Sequence, residues 1–406
     1  MKIRAITGFL STGWPLQRDA IKAIAASMLE CKQGIESIGY EVQTQRLATP
    51  SPCRQDKPIP ASKLVAYARA LEAEAFVHGV DYVAIGPACP EDMSSYHILP
   101  EVLEATEAVF TSGVIAEAGE GVNLEAARAC GQIIADNALI SPDGFGNLRF
   151  AALANVLPGT PFFPASYHDG GLPAIAIATE SADVALNTIY QSRTLGEART
   201  ILITEIERHA AAIELVVDRV AAEQQLRPLG IDFSFAPYPA GGRSFGGALQ
   251  ALGLPAAGIS GSAAAAAFFA SCIDEARFKH TGFNGLFLPI LEDSVLAARS
   301  AQGLITISDL LLLSTLCGTG LDTVPLPGDT SAEALTAVLI DVAAIALRHN
   351  KPLTARLMPI PGKSAGDDIE FEFEYFAPGK IMALKSQPLS GMLTGSDPLP
   401  VSALQR

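Results

Sequence analysis

Short apolar runs alternate with stretches of helical periodicity along nearly the whole chain, and this alternation restricts the possible folds more than any other feature. Lys2 to Thr7 reads as a strand, and Leu16 to Ile38 follows with Ile21, Ile24, Met28 and Cys31 recurring on one helical face. Strand-like Tyr40 to Leu47, Tyr82 to Ile85 and Val114 to Ala116 are then separated by helical Ser62 to Val77, Pro100 to Phe110 and Leu124 to Ala138. The second half repeats the rhythm. Strands are expected at Leu148 to Asn155, Ala174 to Ala178, Ile231 to Ala236, Ala256 to Ser260, Leu286 to Leu291, Thr323 to Leu326 and Leu353 to Ile360. Between them lie helices, the longest running from about Leu195 to Gln225.

Strands that carry few charges and alternate with helices imply a largely parallel sheet covered by helices. About ten such strands suit either a closed barrel or a doubly wound open sheet, because the two differ only in whether the first and last strands pair. No linker interrupts the pattern, so residues 1–406 are expected to form one α/β domain. The tail differs: Ile369, Phe371, Phe373 and Tyr375 alternate with acids, and Pro378-Gly379 turns the chain toward Ile381 to Leu384, which predicts a terminal β-hairpin over residues 368–386.

Hydrophobic residues make up 49% of the chain and charged residues 17%, which provides for a large core. The formal net charge of −15, with no basic run, argues against nucleic-acid binding and against anionic membrane, since both need clustered Lys and Arg. It leaves room for a small anionic ligand, because a few local cations reverse the field inside a cleft. The longest apolar stretches fall short of the roughly 20 residues that span a bilayer. Six scattered cysteines without a CxxC pair fit reduced thiols and a cytoplasmic location. The edge offered by Ile369 to Tyr375 is the candidate contact for the homo-oligomer expected here.

Several segments carry polar residues at predicted strand ends. Pro239-Ala-Gly241-Gly242-Arg243-Ser244 follows a strand and opens a helix, an arrangement that cradles carboxylate or phosphate on backbone N–H groups, with Arg243 as a bidentate partner; tight helix packing explains the glycines equally well. Cys317-Gly318-Thr319-Gly320-Leu321-Asp322 sets a thiol in a glycine-bracketed turn, suited to a nucleophile or an anion nest, or else a helix end beside a core cysteine. Glu292 and Asp322 are candidate acid and base, and Asp322 with Asp329 candidate oxygen ligands for a divalent cation, although Asp293 and Asp329 also read as helix caps. His168, beside Asp169 in a long Gly-rich loop, is a candidate proton shuttle or a locally satisfied imidazole. Cys89, Asp92 and His97 are zinc-type side chains at a spacing that matches no known pattern. Arg356 is expected to share a strand face with Thr354, and Lys351 to close the preceding helix.

Phe150 to Asn155 with Pro161 to His168, Ser234 to Pro239, Gly282 to Asp293, and Leu316 to Asp322 with Pro327 to Thr330 together resemble the family called domain of unknown function 711, whose members are described as pyruvate formate-lyase-like. The ordered resemblance spans about Met1 to Leu384; Asn155, at the end of its first segment, is a candidate binding residue together with Gly318 and Gly320 of the Cys317 turn. It implies the glycyl-radical enzyme barrel, in which strands enclose a central active-site loop. Radical chemistry itself is not expected, since that machinery stores its radical on a C-terminal glycine within Arg-Val-x-Gly-Tyr. No Gly-Tyr follows Gly39-Tyr40, and the tail offers only Pro378-Gly379-Lys380 and Ser390-Gly391-Met392. The sequence reading therefore expects an enzyme acting on a small anionic metabolite by acid/base or thiol chemistry, or a non-catalytic binding protein on the same scaffold.

Overall fold

A computed structural model describes residues 1–316 and 318–404. Its centre is a ten-stranded sheet built from β1 (Lys2–Phe9), β2 (Val42–Ala48), β3 (Tyr82–Ala84), β4 (Val109–Glu117), β5 (Gly121–Val122), β6 (Phe150–Ala154), β7 (Ala174–Glu180), β8 (Arg227–Asp232), β9 (Gly320–Pro327) and β10 (Leu353–Ile360). The order is β8-β7-β1-β2-β3-β4-β6-β10-β9, with the short β5 pairing only β4.

Two parallel sets make up this sheet. β1, β2, β3, β4 and β6 run one way. β7 and β8 on one flank, and β10 and β9 on the other, run the opposite way and join the first set through the antiparallel pairs β1–β7 and β6–β10. Residues 279–291 bridge the outer strands: Ile231 N–H donates to Lys279 O at 2.8 Å and Phe235 N–H to Gly285 O at 3.1 Å on the β8 side, while Ile290 N–H reaches Asp322 O of β9 at 3.2 Å.

Helices cover the outer face because their apolar residues recur at helical spacing. In Arg18–Ser37 the buried positions are Ile21, Ile24, Met28, Cys31 and Ile35 among others, one stripe against the sheet. Helix Ala332–His349 is started by Ser331, whose hydroxyl accepts from Ala334 N–H, and is stopped by Asn350 in a left-handed conformation. Thr194 caps the long helix Leu195–Gln224 in the same way.

The inner face is set by register. Phe9, Ala48, Ala84 and Phe110 are successive partners on one rung, and Thr7, Arg46 and Tyr82 share the rung beside it. Residues 155–173, joining β6 to β7, return against this face. Their adjacent phenylalanines separate: Phe163 packs with Phe9 and Phe110, and Phe162 with Leu153, Ala236, Phe283 and Phe287.

Several expectations need correction. Residues 286–291 lie in none of the strands, although Ile290 N–H bonds Asp322 O, and the helix expected over residues 100–110 stops at Glu104, before β4. Residues 256–260 form a turn rather than a strand, their apolar run reflecting packing next to helix Ser262–Glu275. The tail hairpin shrinks to Asp368–Ile369 against Gly379–Lys380, and the alternating Phe371 and Phe373, together with Phe376, clamp Phe145 instead of lining a pleat. Cys53 and Cys89 form a disulfide across 36 residues, with Cα atoms 6.7 Å apart, so reduced thiols are not found throughout. Parallel strands carry the two loops to the same end of the sheet, a proximity that spacing alone does not reveal. No described helix is long and apolar enough to cross a membrane.

Candidate functional site

Between the inner face and residues 155–173 lies a cavity of about 460 Å³, within the usual range for small-molecule sites. Its wall includes Arg4, Arg46, Arg149, Asp232, Glu292 and Arg356, with aromatic rings that include Tyr82, Phe110, Phe162 and Phe163. Phe373 and Tyr375 of the tail complete one side.

Charged side chains in an otherwise apolar interior need partners, and most of these have them. Glu292 accepts from Arg4 and, at 2.8 Å, from Arg356 Nη2. Arg356 Nε donates to Asp322 Oδ1 at 2.6 Å, so one guanidinium ties the carboxylates of two segments. Burial pushes Glu292 upward, but the charges of Arg4 and Arg356 prevail and hold it below the usual carboxylate value. Asp322 goes the other way: burial outweighs Arg356, Glu292 adds repulsion, and Asp322 Oδ2 is buried with no hydrogen-bond partner among the described residues.

Arg46 is different. Its Nε donates to Thr44 Oγ1 at 2.9 Å, and its guanidinium lies 5.1 Å from the Phe163 ring centre and 5.7 Å from that of Tyr82. Among the described residues no carboxylate pairs with it. Burial first, and the like charge of Arg4 second, lower its pKa to about 10, which leaves it cationic at neutral pH.

Asp232, also on the wall, accepts from Ser234 Oγ and from the N–H groups of Asn284 at 3.0 Å and Phe283 at 2.9 Å. Burial raises its pKa against those donors.

The structure thus brings Glu292 and Asp322 together on Arg356 and sets the other candidates elsewhere. Arg243 is spent on Glu180 at 2.9 Å and stacks 3.8 Å over Tyr238; Gly241 and Gly242 are exposed, and Ser244 caps helix Phe245–Ala251 while bonding Asp293. His168 is buried away from the cavity wall, its Nε2 3.2 Å from Leu172 O and its Nδ1 accepting from Gly170 N–H, with its pKa lowered by burial. Asn155 bonds Asn350 at 3.4 Å. Gly318 and Gly320 are buried by packing, and Gly320 has φ 88° where a Cβ would stand 2.2 Å from Thr354 O. Cys317 lies outside the described residues. Asp329 is exposed, seven positions from buried Asp322, and no cluster of three or more His, Cys, Asp or Glu is placed to hold a metal among the described residues. Cys89 is in the disulfide and His97 is exposed, which removes the zinc-type trio. Asp293, not Asp329, is the helix cap; Ser331 caps the later helix.

Sequence reasoning missed Arg4 and Arg46. Their signal was available: strands buried on both faces are nearly continuous apolar runs, so an arginine inside one marks a polar interior.

The family model described as "Uncharacterised ACR (DUF711)" matches residues 1–374. The chain belongs to this family. Among DUF711 relatives, a UPF0210 protein of Lactobacillus delbrueckii subsp. bulgaricus is 30% identical over 361 residues, covering 85% of this chain and 80% of its own. One from Pyrobaculum aerophilum is 33% identical over 346 residues (81% and 76%), and one from Methanopyrus kandleri 30% over 374 residues (87% and 82%). The matched stretch contains Arg4, Arg46, Glu292, Asp322 and Arg356 and reaches into the aromatic tail.

Proposed function

We propose that this DUF711 chain takes a small anionic molecule into the interior of its sheet and holds it on Arg46. The carrying observation is that, among the described residues, Arg46 has neither a carboxylate partner, as Arg4 and Arg356 have, nor the backbone carbonyls that take up Arg149 on the same wall. A cation kept in an apolar interior at an energetic cost is expected where a ligand supplies the counter-charge. The backbone bonds of residues 279–291 to both outer strands support closure of the sheet into a barrel of a single domain, which would shield this interior from water.

The test is mass spectrometry of small molecules released from the purified protein. Anions are expected from the wild type and not from Arg46→Gln. Release of the same compounds from both proteins would defeat the proposal.

Catalysis is a second reading, favoured by carboxylates whose environments push their proton affinities apart: Glu292 is held down and Asp232, on the same wall, is pushed up. Such separation distinguishes an ionised group from a proton donor in acid–base sites. If the cavity is catalytic, Asp232→Asn removes turnover while ligand binding persists.

A further inference from the structure

The anion-binding reading leaves the chemistry of the ligand open, and the walls of the cavity narrow it. Phe162 and Phe163 are neighbours in sequence but belong to two aromatic groups. Phe163 meets Phe110 edge-on at 5.4 Å between ring centres, and Phe110 meets Tyr82 at 5.3 Å. Phe162 meets Phe287 at 5.0 Å. Each of the two phenylalanines also faces a guanidinium: Arg46 lies 5.1 Å from the Phe163 centre, and Arg356 lies 5.6 Å from that of Phe162. One of those cations is neutralised by Glu292 and Asp322 and the other is not.

Charge and fork geometry then select the polar end. Arg4 and Arg356 are ion-paired and Arg149 is taken up by backbone carbonyls, so Arg46 presents a single unpaired positive charge to a ligand, which a monoanionic group matches. Because Thr44 occupies Nε of Arg46, the terminal Nη1 and Nη2 groups remain, and their parallel N–H bonds match the two oxygens of a carboxylate. The rings around them fit an apolar body better than a hydrated one, since aromatic faces and edges gain contact only with another apolar surface.

Resting on the reading above, we propose that the occupant is a monoanionic carboxylate with a flat apolar body, such as an arylalkanoic acid, whose carboxylate sits on Arg46 and whose body fills the space lined by Phe162 and Phe163. Arg46 fixes the charged end, and the two phenylalanines set specificity for the rest.

Calorimetric titration of the full-length chain with phenylpropionate, acetate and inorganic phosphate tests this. Phenylpropionate is expected to bind about tenfold or more tightly than acetate, since the ring transfers its surface out of water. Phosphate is expected to bind more weakly than phenylpropionate. Arg46→Gln abolishes phenylpropionate binding, and Arg46→Lys, which keeps the charge and loses the fork, weakens it by about tenfold; circular dichroism verifies that both variants are folded. Equal binding of acetate and phenylpropionate, or tighter binding of phosphate, would overturn the assignment of the body or of the monoanion while leaving an anion site intact. Absence of binding by all three to the wild type, or phenylpropionate affinity unchanged in folded Arg46→Gln, would remove the anion site as well.

Discussion

Arg356 in β10 donates its Nε to Asp322 in the neighbouring β9 at 2.6 Å, and Nη2 of the same guanidinium donates to Glu292 at 2.8 Å. These are buried groups, so the geometry has consequences for stability as well as for chemistry.

Replacing Arg356 by Leu leaves two carboxylates without their shared cation. Breaking one side of a buried pair costs about 3–5 kcal/mol, and the urea midpoint of Arg356→Leu should fall accordingly. A loss below about 1 kcal/mol, the range of exposed pairs, would show that the cluster is hydrated and that its burial is misjudged.

Arg46→Met should act in the opposite direction. Removing a half-buried guanidinium that lacks a carboxylate relieves its desolvation, and residues kept for binding commonly reduce stability. A gain of about 1 kcal/mol in unfolding free energy is expected, read by denaturation without ligand. Substantial destabilisation would mean that the Thr44 bond and the two ring contacts are structural supports.

Gly320→Ala should be among the most damaging single-methyl changes in the chain. The φ of 88° disfavours any side chain, and the added carbon would meet the carbonyl of Thr354 in the paired strand. A loss of about 2 kcal/mol or more is expected. Near-normal thermal stability would argue against the β9–β10 register.

His168 gives a pH dependence of defined sign. Burial lowers its pKa from the ordinary 6.5, so between that value and the folded one the unfolded chain binds the extra proton. The contribution of His168 is therefore complete above 6.5 and lost as pH falls below it. His168→Gln should reduce this acid sensitivity, and the His168 imidazole resonance, assigned by its loss in that variant, should titrate below 6.5; titration above 6.5 would contradict the burial.

Element type was largely legible because periodicity is local: helix Ser294–Ala301 and strand Leu353–Ile360 fall where the pattern puts them. The site was legible only in part. Glu292 and Asp322 lie beside turns with polar signals, so they stood out, whereas Arg4 and Arg46 are marked only as single cations inside expected strands, and strand register is needed to bring them to one wall. The Phe371 to Tyr375 alternation misled for a related reason, since packing against Phe145 gives the same period as a pleat. The pairing of Cys53 with Cys89 depends on strand adjacency, which no local window contains.

The antiparallel joins at β1–β7 and β6–β10 divide the charge of the interior by origin. Arg4 and Arg46 come from the first parallel set, while Glu292, Asp322 and Arg356 are supplied by the second set and its bridging segment. Taken alone, the first has a positive inner surface and the second a negative one. Assembly of the two surfaces is thus the step that balances both, so the ligand chamber is expected to come into being late in folding, when the halves of one polypeptide meet as oppositely charged partners.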